Sequence, residues 1–199
     1  MASLQVGSQA EANGAIAAAG QPEDGESWLF AYGSLMWRPD FDYLDAVPAR
    51  LSGYHRRLCL YSYIYRGSPE MPGLVLGLDR GGSCWGIAFR IAPGAVEEVL
   101  RLVDARELLY DVYHRRLLPV QLGMGEGGVR LKAHAYVVNR QSPQYAGRLP
   151  PGRVVEFIRQ GHGERGSCLD YLRNTVTHLE ELGLPDRQLS TLLHKMDTA

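Results

Sequence analysis

Trp28-Leu29-Phe30-Ala31-Tyr32-Gly33-Ser34-Leu35-Met36 is the stretch on which the fold turns. Its first five residues form an unbroken aromatic and apolar run that Gly33-Ser34 brings to a halt. A run of that length and bias predicts a buried strand followed by a tight turn. Glycine in such a turn lets a ligand approach the backbone closely, and successive turn N–H groups form a nest for an oxyanion or a carboxylate. No Gly-Lys-Ser/Thr follows, so the turn is not a phosphate-binding P-loop. On these residues alone it is either a structural turn or a binding loop.

Toward the N-terminus the composition changes. The first 26 residues are rich in Ala, Gly, Gln and Ser and contain no aromatic residue. They offer little apolar area to offset the entropy of ordering them, which predicts a disordered extension over 1–26 and a single domain over 27–199. They resemble neither a secretory signal, having no positive n-region, nor an Arg-rich transit peptide. The whole chain of 199 residues has a formal net charge of -1, from 21 basic and 22 acidic residues. Glu11, Glu23, Asp24 and Glu26 all precede Trp28, and without them 21 basic residues face 18 acidic ones. The body is thus mildly positive, which suits a small anionic ligand and does not suit coating nucleic acid. Cys59, Cys84 and Cys168 are odd in number and widely spaced, as in a reducing cytosol. No apolar run reaches the roughly 18 residues of a membrane span, so a cytoplasmic protein is expected.

Toward the C-terminus, residues 51–64, broken at Gly53, carry the bias of one or two strands. Residues 66–73 form a proline-stiffened loop. Residues 74–78 and 84–91 read as a hairpin around Asp79-Arg80-Gly81-Gly82. Pro93-Gly94 opens a helix with Val96, Val99, Leu100 and Val103 at helical spacing. Residues 112–122 predict a strand and 123–128 a flexible turn. Residues 129–137 alternate, with Val129, Leu131, Ala133, Ala135 and Val137 on one face and Arg130, Lys132, His134 and Tyr136 on the other. Helices are expected over 152–160, over 167–182 and through Leu189, Leu192 and Leu193. Strands early and helices late point to an α+β domain.

Glu107 interrupts one of these patterns. The apolar stripe 96, 100, 103 extends by four residues to Glu107, where another apolar residue is expected. A carboxylate on the inward face near a helix C-terminus is disfavoured as an anion by desolvation and by the helix dipole. Both effects raise its pKa toward that of a general base working near neutrality. The alternatives are an ion pair with Arg106 or Arg101, or a helix that ends earlier and leaves Glu107 exposed. The six histidines include no H-E-x-x-H and no i, i+4 pair, so no zinc site is expected. Cys168 and His162 share one Gly-rich loop, but loop proximity is poor evidence for a nucleophilic thiolate. Residues 161–166, with three glycines, are either an anion site or a connector.

Taken together and in order, these segments resemble the ChaC-type γ-glutamylcyclotransferases. The resemblance rests on residues 28–41, on Gly53-Tyr54-His55-Arg56-Arg57, on Arg66-Gly67-Ser68-Pro69 with Pro72-Gly73, and on Trp85-Gly86-Ile87-Ala88-Phe89-Arg90. It continues through Asp104-Ala105-Arg106-Glu107 with Tyr113, Ser142-Pro143-Gln144-Tyr145, and residues 163–172. It implies a γ-glutamylcyclotransferase-like α+β fold, a small mixed β-barrel or sheet core with surrounding helices and a helical C-terminus. It also implies cleavage of glutathione, or another γ-glutamyl compound, to 5-oxoproline and a free amine. Leu35-Met36-Trp37 after Ser34 is similar to the glutathione-directed branch. By the same resemblance Ala31, Tyr32, Gly33, Ser34, Leu35 and Met36 form the binding loop, Glu107 is the acid/base, and Tyr145 and Tyr113 contact substrate. Arg66 is expected to pair with the glycine carboxylate of glutathione, the alternative being a surface arginine. No cofactor, metal, nucleic acid or membrane partner is implied. Two departures, Tyr61-Ser62-Tyr63-Ile64-Tyr65 and Ala105, bear on the fit of the Cys-Gly portion. A cyclotransferase for other γ-glutamyl amines and a non-catalytic γ-glutamyl-peptide binding module are the rival readings.

Overall fold

A computed structural model describes residues 27–124 and 128–198. The predicted extension over 1–26 and the centre of the predicted turn over 123–128 lie outside the described residues. Strand β1 (Ser27–Ala31) has a neighbour on each side. It runs antiparallel to β3 (Gly73–Ile91), with Leu29 opposite Phe89, and parallel to β5 (Arg130–Val138), with Leu29 opposite His134. The parallel pairing closes a barrel in the order β1-β3-β2-β4-β5, where β2 is Asp45–Ser62 and β4 is Tyr113–Leu122. Trp28, Leu29, Phe30 and Ala31 are no more than 2% exposed, which is why β1 reads as a continuous apolar run and does not alternate.

Two strands differ from the sequence expectation. The predicted hairpin around Asp79-Arg80-Gly81-Gly82 does not form; β3 runs unbroken through it. Gly81 and Gly82 take φ values of +103° and +70°, and consecutive left-handed glycines inside a strand mark a bulge. β2 stays alongside, with His55 Nδ1 2.9 Å from the Gly81 carbonyl oxygen. Asp79, the polar residue that suggests a turn, is 1% exposed. β2 likewise begins earlier than expected, at Asp45, and passes through Gly53 without breaking. In β5, Leu131, Ala133, Ala135 and Val137 are buried as the alternation predicts, but Tyr136 on the polar face is buried as well. Its hydroxyl donates to Asp104 Oδ1 at 2.7 Å, so helix α1 (Val96–Glu107) accounts for that exception.

The chain divides into two compact units. The first holds the described residues up to Arg56 together with Leu78–Val138, and thus β1, β4, β5, α1 and the adjoining parts of β2 and β3. β4 meets β2 through Leu51 to Ala49, opposite Val120 to Leu122, whereas it pairs with β5 along nearly its whole length. Its N-terminal half is rich in charge, with Arg115 and Arg116 exposed, as suits an open strand edge.

The second unit holds Arg57–Gly77 and the chain from Asn139 on. Its helices are α2 (Pro151–Gln160), α3 (Cys168–Glu181) and α4 (Arg187–Asp197). Ser167 caps α3 by accepting the Asp170 N–H at 2.9 Å, and Asp186 caps α4 by accepting from Gln188 at 3.1 Å. Leu172, Val176 and Leu179 of α3 and Leu189 of α4 are buried on the expected stripes. A two-stranded hairpin, β6 (His162–Gly163) and β7 (Gly166–Ser167), precedes α3. Among the described residues no helix is long and apolar enough to cross a membrane.

Candidate active site

In the first unit β1 ends at Ala31, and the chain turns through Tyr32 and Gly33 into a short 3₁₀ turn over Ser34–Met36. The Gly33 carbonyl accepts the Met36 N–H at 2.8 Å, and the Ser34 carbonyl accepts the Arg38 N–H at 2.8 Å. Leu35 and Met36 are buried and anchor the turn, while Gly33 and Ser34 remain half-exposed. A Cβ built on Gly33 would meet no atom within 4 Å, so the surface above it is open. The binding loop expected from sequence is therefore held from below by its apolar half and accessible along its glycine-serine half.

Arg56 of β2 lies under this turn, 6% exposed. It donates from Nε to the Tyr32 carbonyl at 2.5 Å and from Nη2 to the Trp85 carbonyl at 2.7 Å, and Nη2 lies 4.0 Å from Met36 Sδ. Its buried cation therefore fixes the direction of the Tyr32 peptide group. No role was expected for Arg56 from sequence. The signal was present in period two: Arg56 shares a strand face with Leu58 and Leu60, both buried.

Glu107 is the last residue of α1, following the buried Val99 and Val103, and its side chain is 17% exposed. The Leu108 N–H closes the helix on the Asp104 carbonyl at 2.9 Å. Arg106 Nε lies 3.2 Å from Glu107 Oε1, so the ion pair weighed as an alternative is present. The same guanidinium donates from Nη2 to Ser34 Oγ at 2.8 Å and from Nη1 to the Arg38 carbonyl at 3.0 Å and Asp40 Oδ2 at 3.1 Å. Glu107 and the Tyr-Gly-Ser turn, 73 residues apart in sequence from Ser34 to Glu107, are thus joined through one side chain.

Beside them lies a half-buried polar cluster around Tyr136. Asp104 accepts from the Tyr136 hydroxyl and pairs with Arg115 at 3.3 Å. Burial, the Asp104 hydrogen bond and the nearby charges of Asp104 and Glu107 push the Tyr136 phenol far above its ordinary pKa, against the opposing pull of Arg115. Burial and Arg115 push His134 down, partly offset by Asp104, which favours the neutral imidazole. Tyr113, at the start of β4, lines an open cavity of about 390 Å³ with Asp104, Leu108, Asp111, His114, Arg115 and Arg116. Glu107 is not among its lining residues.

In the second unit Tyr145 forms a bridge with Leu60, and its N–H donates to the Ser142 carbonyl at 2.9 Å. The guanidinium of Arg140 lies 5.8 Å from its ring centroid. Arg66 is held by other groups. Its Nη1 donates to the carbonyls of Arg165 and Ser167, the latter at 3.2 Å, and its guanidinium lies 5.2 Å from the Tyr171 ring centroid. Partial burial pushes its pKa down. Arg66 is therefore half-buried and braces the β6–β7 hairpin through Nη1. Gly163 makes this approach possible, since a Cβ there would lie 2.2 Å from the Ile64 carbonyl oxygen. Residues 161–166 are thereby a connector packed on the loop after β2. Cys168 is fully buried, its thiol donating to the Leu74 carbonyl at 3.0 Å, and burial pushes its pKa up to about 11. His162 is exposed, and the pair has no thiolate to offer.

A closed five-stranded barrel combined with helices is the α+β architecture of the γ-glutamylcyclotransferase fold. A yeast γ-glutamylcyclotransferase specific to glutathione superposes with a TM-score of 0.79 at 20% identity, covering 88% of this chain and 97% of that one. The model of the ChaC-like protein family matches residues 27–199, and the chain belongs to that family. Among its relatives, the glutathione-specific γ-glutamylcyclotransferase of Escherichia coli is 31% identical, over 87% of this chain and 74% of the relative. Glutathione-specific γ-glutamylcyclotransferase 1 of Homo sapiens is 33% identical, over 86% and 78%.

Proposed function

We propose that the protein is an enzyme that cyclises the γ-glutamyl group of glutathione, releasing 5-oxoproline and Cys-Gly. The observation that carries the reading is the bridge from Glu107 through Arg106 to Ser34 of the Tyr-Gly-Ser turn. It puts a carboxylate of limited exposure and an open backbone turn into one assembly. The names of the relatives support glutathione as the substrate.

The chemistry asks for little else. The α-amine of the substrate attacks its own γ-carbonyl, so nucleophile and electrophile already share a molecule. Holding the glutamyl chain in a ring-closing pose is worth an effective molarity on the order of 10⁵–10⁸ M. The amine is an ammonium at neutral pH and cannot attack until Glu107 takes a proton from it. The same carboxylic acid then returns a proton to the departing amide nitrogen of Cys-Gly, a poor leaving group as an anion. Ala31 to Met36 form the floor of the γ-glutamyl site, with the N–H groups at Gly33 and Ser34 turned to the α-carboxylate or to the oxyanion. Tyr113 and Tyr145 contact the substrate. Arg66 braces the β6–β7 hairpin through Nη1. The domain that does this spans 27–199, the span matched by the family model, and acts in the cytoplasm on a small molecule.

Incubation with glutathione, γ-glutamyl-alanine and a γ-glutamylamine, followed by mass detection of 5-oxoproline, tests the reading. The expected result is product from glutathione well in excess of the other two. Binding of glutathione by calorimetry with no product from any of them would replace the enzyme with a binding module.

A further inference from the structure

We propose that Arg106 is the positioning residue of this reaction: its guanidinium sets the placement of Glu107 against the Tyr-Gly-Ser turn and keeps the carboxylate ready to accept a proton. The proposal rests on the cyclotransferase reading above and deepens it. Each guanidinium nitrogen has its own target: Nη2 the Ser34 hydroxyl, Nη1 the Arg38 carbonyl and Asp40, and Nε the carboxylate of Glu107. Residues i and i+1 of a helix do not ordinarily face each other, so the Arg106–Glu107 pair is not a by-product of helix geometry. The guanidinium is drawn across the end of α1 by Ser34, Arg38 and Asp40, and there it meets its neighbour.

Stability does not account for the arrangement. The Arg106 side chain is 25% exposed and that of Asp40 59%, and ion pairs so open to water contribute little. What they supply is geometry, since the planar fork spreads its donors over three separated nitrogens where an ammonium gathers them on one. They also supply a field. The charged and titratable groups near Glu107 include Asp104 and Arg106 on α1, Tyr136 on β5, Arg115 on β4 through Asp104, and Asp40 through Arg106. Arg115 is engaged with Asp104, and Arg106 is a cation in direct contact with Glu107. Removing it leaves the carboxylate at the negative end of a helix beside an acid and a phenol, and its pKa must rise.

The test is 5-oxoproline release from glutathione as a function of pH for the wild type, Arg106→Ala, Arg106→Lys and Asp40→Asn. Arg106→Ala is expected to lower kcat/KM on the order of 10²-fold, the scale of a misplaced catalytic group. It should also raise KM and move the acid limb of the kcat/KM profile to higher pH. Arg106→Lys restores the limb toward the wild type but leaves KM raised, because a point charge cannot hold Ser34 and Asp40 together. Asp40→Asn, which tolerates the left-handed φ of +58° at that position, gives a smaller loss in the same direction. Wild-type kinetics in Arg106→Ala overturn the proposal. So does a loss of activity with the acid limb unmoved and no recovery in Arg106→Lys, since that is a merely structural role. Should Arg106→Ala fail to fold by circular dichroism, Arg106→Lys is decisive: raised KM with a wild-type limb supports the proposal, and unchanged KM overturns it. A wild-type protein that yields no 5-oxoproline instead overturns the activity on which the proposal rests.

Discussion

A methyl group on Gly33 would meet no atom within 4 Å, whereas one on Gly86 would fall 2.1 Å from the Ala31 carbonyl oxygen and 2.9 Å from the Phe30 ring. Both glycines lie near the end of β1, yet one leaves room for a ligand and the other for the neighbouring strand. Gly33→Ala is therefore expected to keep the wild-type Tm and to lower 5-oxoproline release by roughly 10-fold or more, through displacement of the substrate. Gly86→Ala should cost about 1–3 kcal/mol by overpacking, seen as a lowered denaturant midpoint. A destabilised Gly33→Ala with unimpaired turnover would remove the turn from the site. Arg56→Met keeps bulk but leaves the Tyr32 and Trp85 carbonyls without their donor, a loss of roughly 2–4 kcal/mol in the same assay. Glu107 was legible at this scale because it breaks an apolar stripe. Arg56 was not, and of Arg106 only the pairing with Glu107 was, because an arginine on a strand or helix end is by default a solvated side chain, and only contacts made far along the chain show otherwise.

At the scale of elements, the strand-turn start and the helices were legible in periodicity and capping residues. The path of β3 was not. Asp79-Arg80-Gly81-Gly82 carries the local chemistry of a hairpin, but β2 runs alongside and holds the segment in the ladder, so tertiary pairing overrides turn propensity. The β6–β7 hairpin uses Gly163 for close packing on the loop after β2. It also seats Cys168 where its thiol is buried. Cys59, Cys84 and Cys168 are all buried, so a disulfide-exchange reagent at pH 8 is expected to label none rapidly in the native protein and all three in denaturant. One fast-reacting thiol in the native state would bring back the nucleophilic pair. The sign of the pH effect follows from the raised pKa. The unfolded thiol ionises near pH 9 and the folded one near 11, so the contribution of Cys168 to stability is complete below about pH 9 and is lost as pH rises toward 11.

For the whole molecule, the near-zero net charge of the sequence conceals an acidic first 26 residues ahead of a body with a small positive excess. β1 begins at Ser27, where the family match also begins. Deletion of 1–26 is expected to leave turnover of glutathione unchanged, and a large loss on deletion would place a functional element there. The fold was legible because one buried strand, one helix with a misplaced carboxylate and a set of ordered motifs agreed with one another. In the proposed reaction a single carboxylate, Glu107, moves the proton. Glu107→Gln preserves size and hydrogen bonding and removes the base. Release of 5-oxoproline from glutathione, followed by mass detection in Glu107→Gln with circular dichroism matched to the wild type, is predicted to fall to background. Near wild-type release from that folded variant would contradict the account.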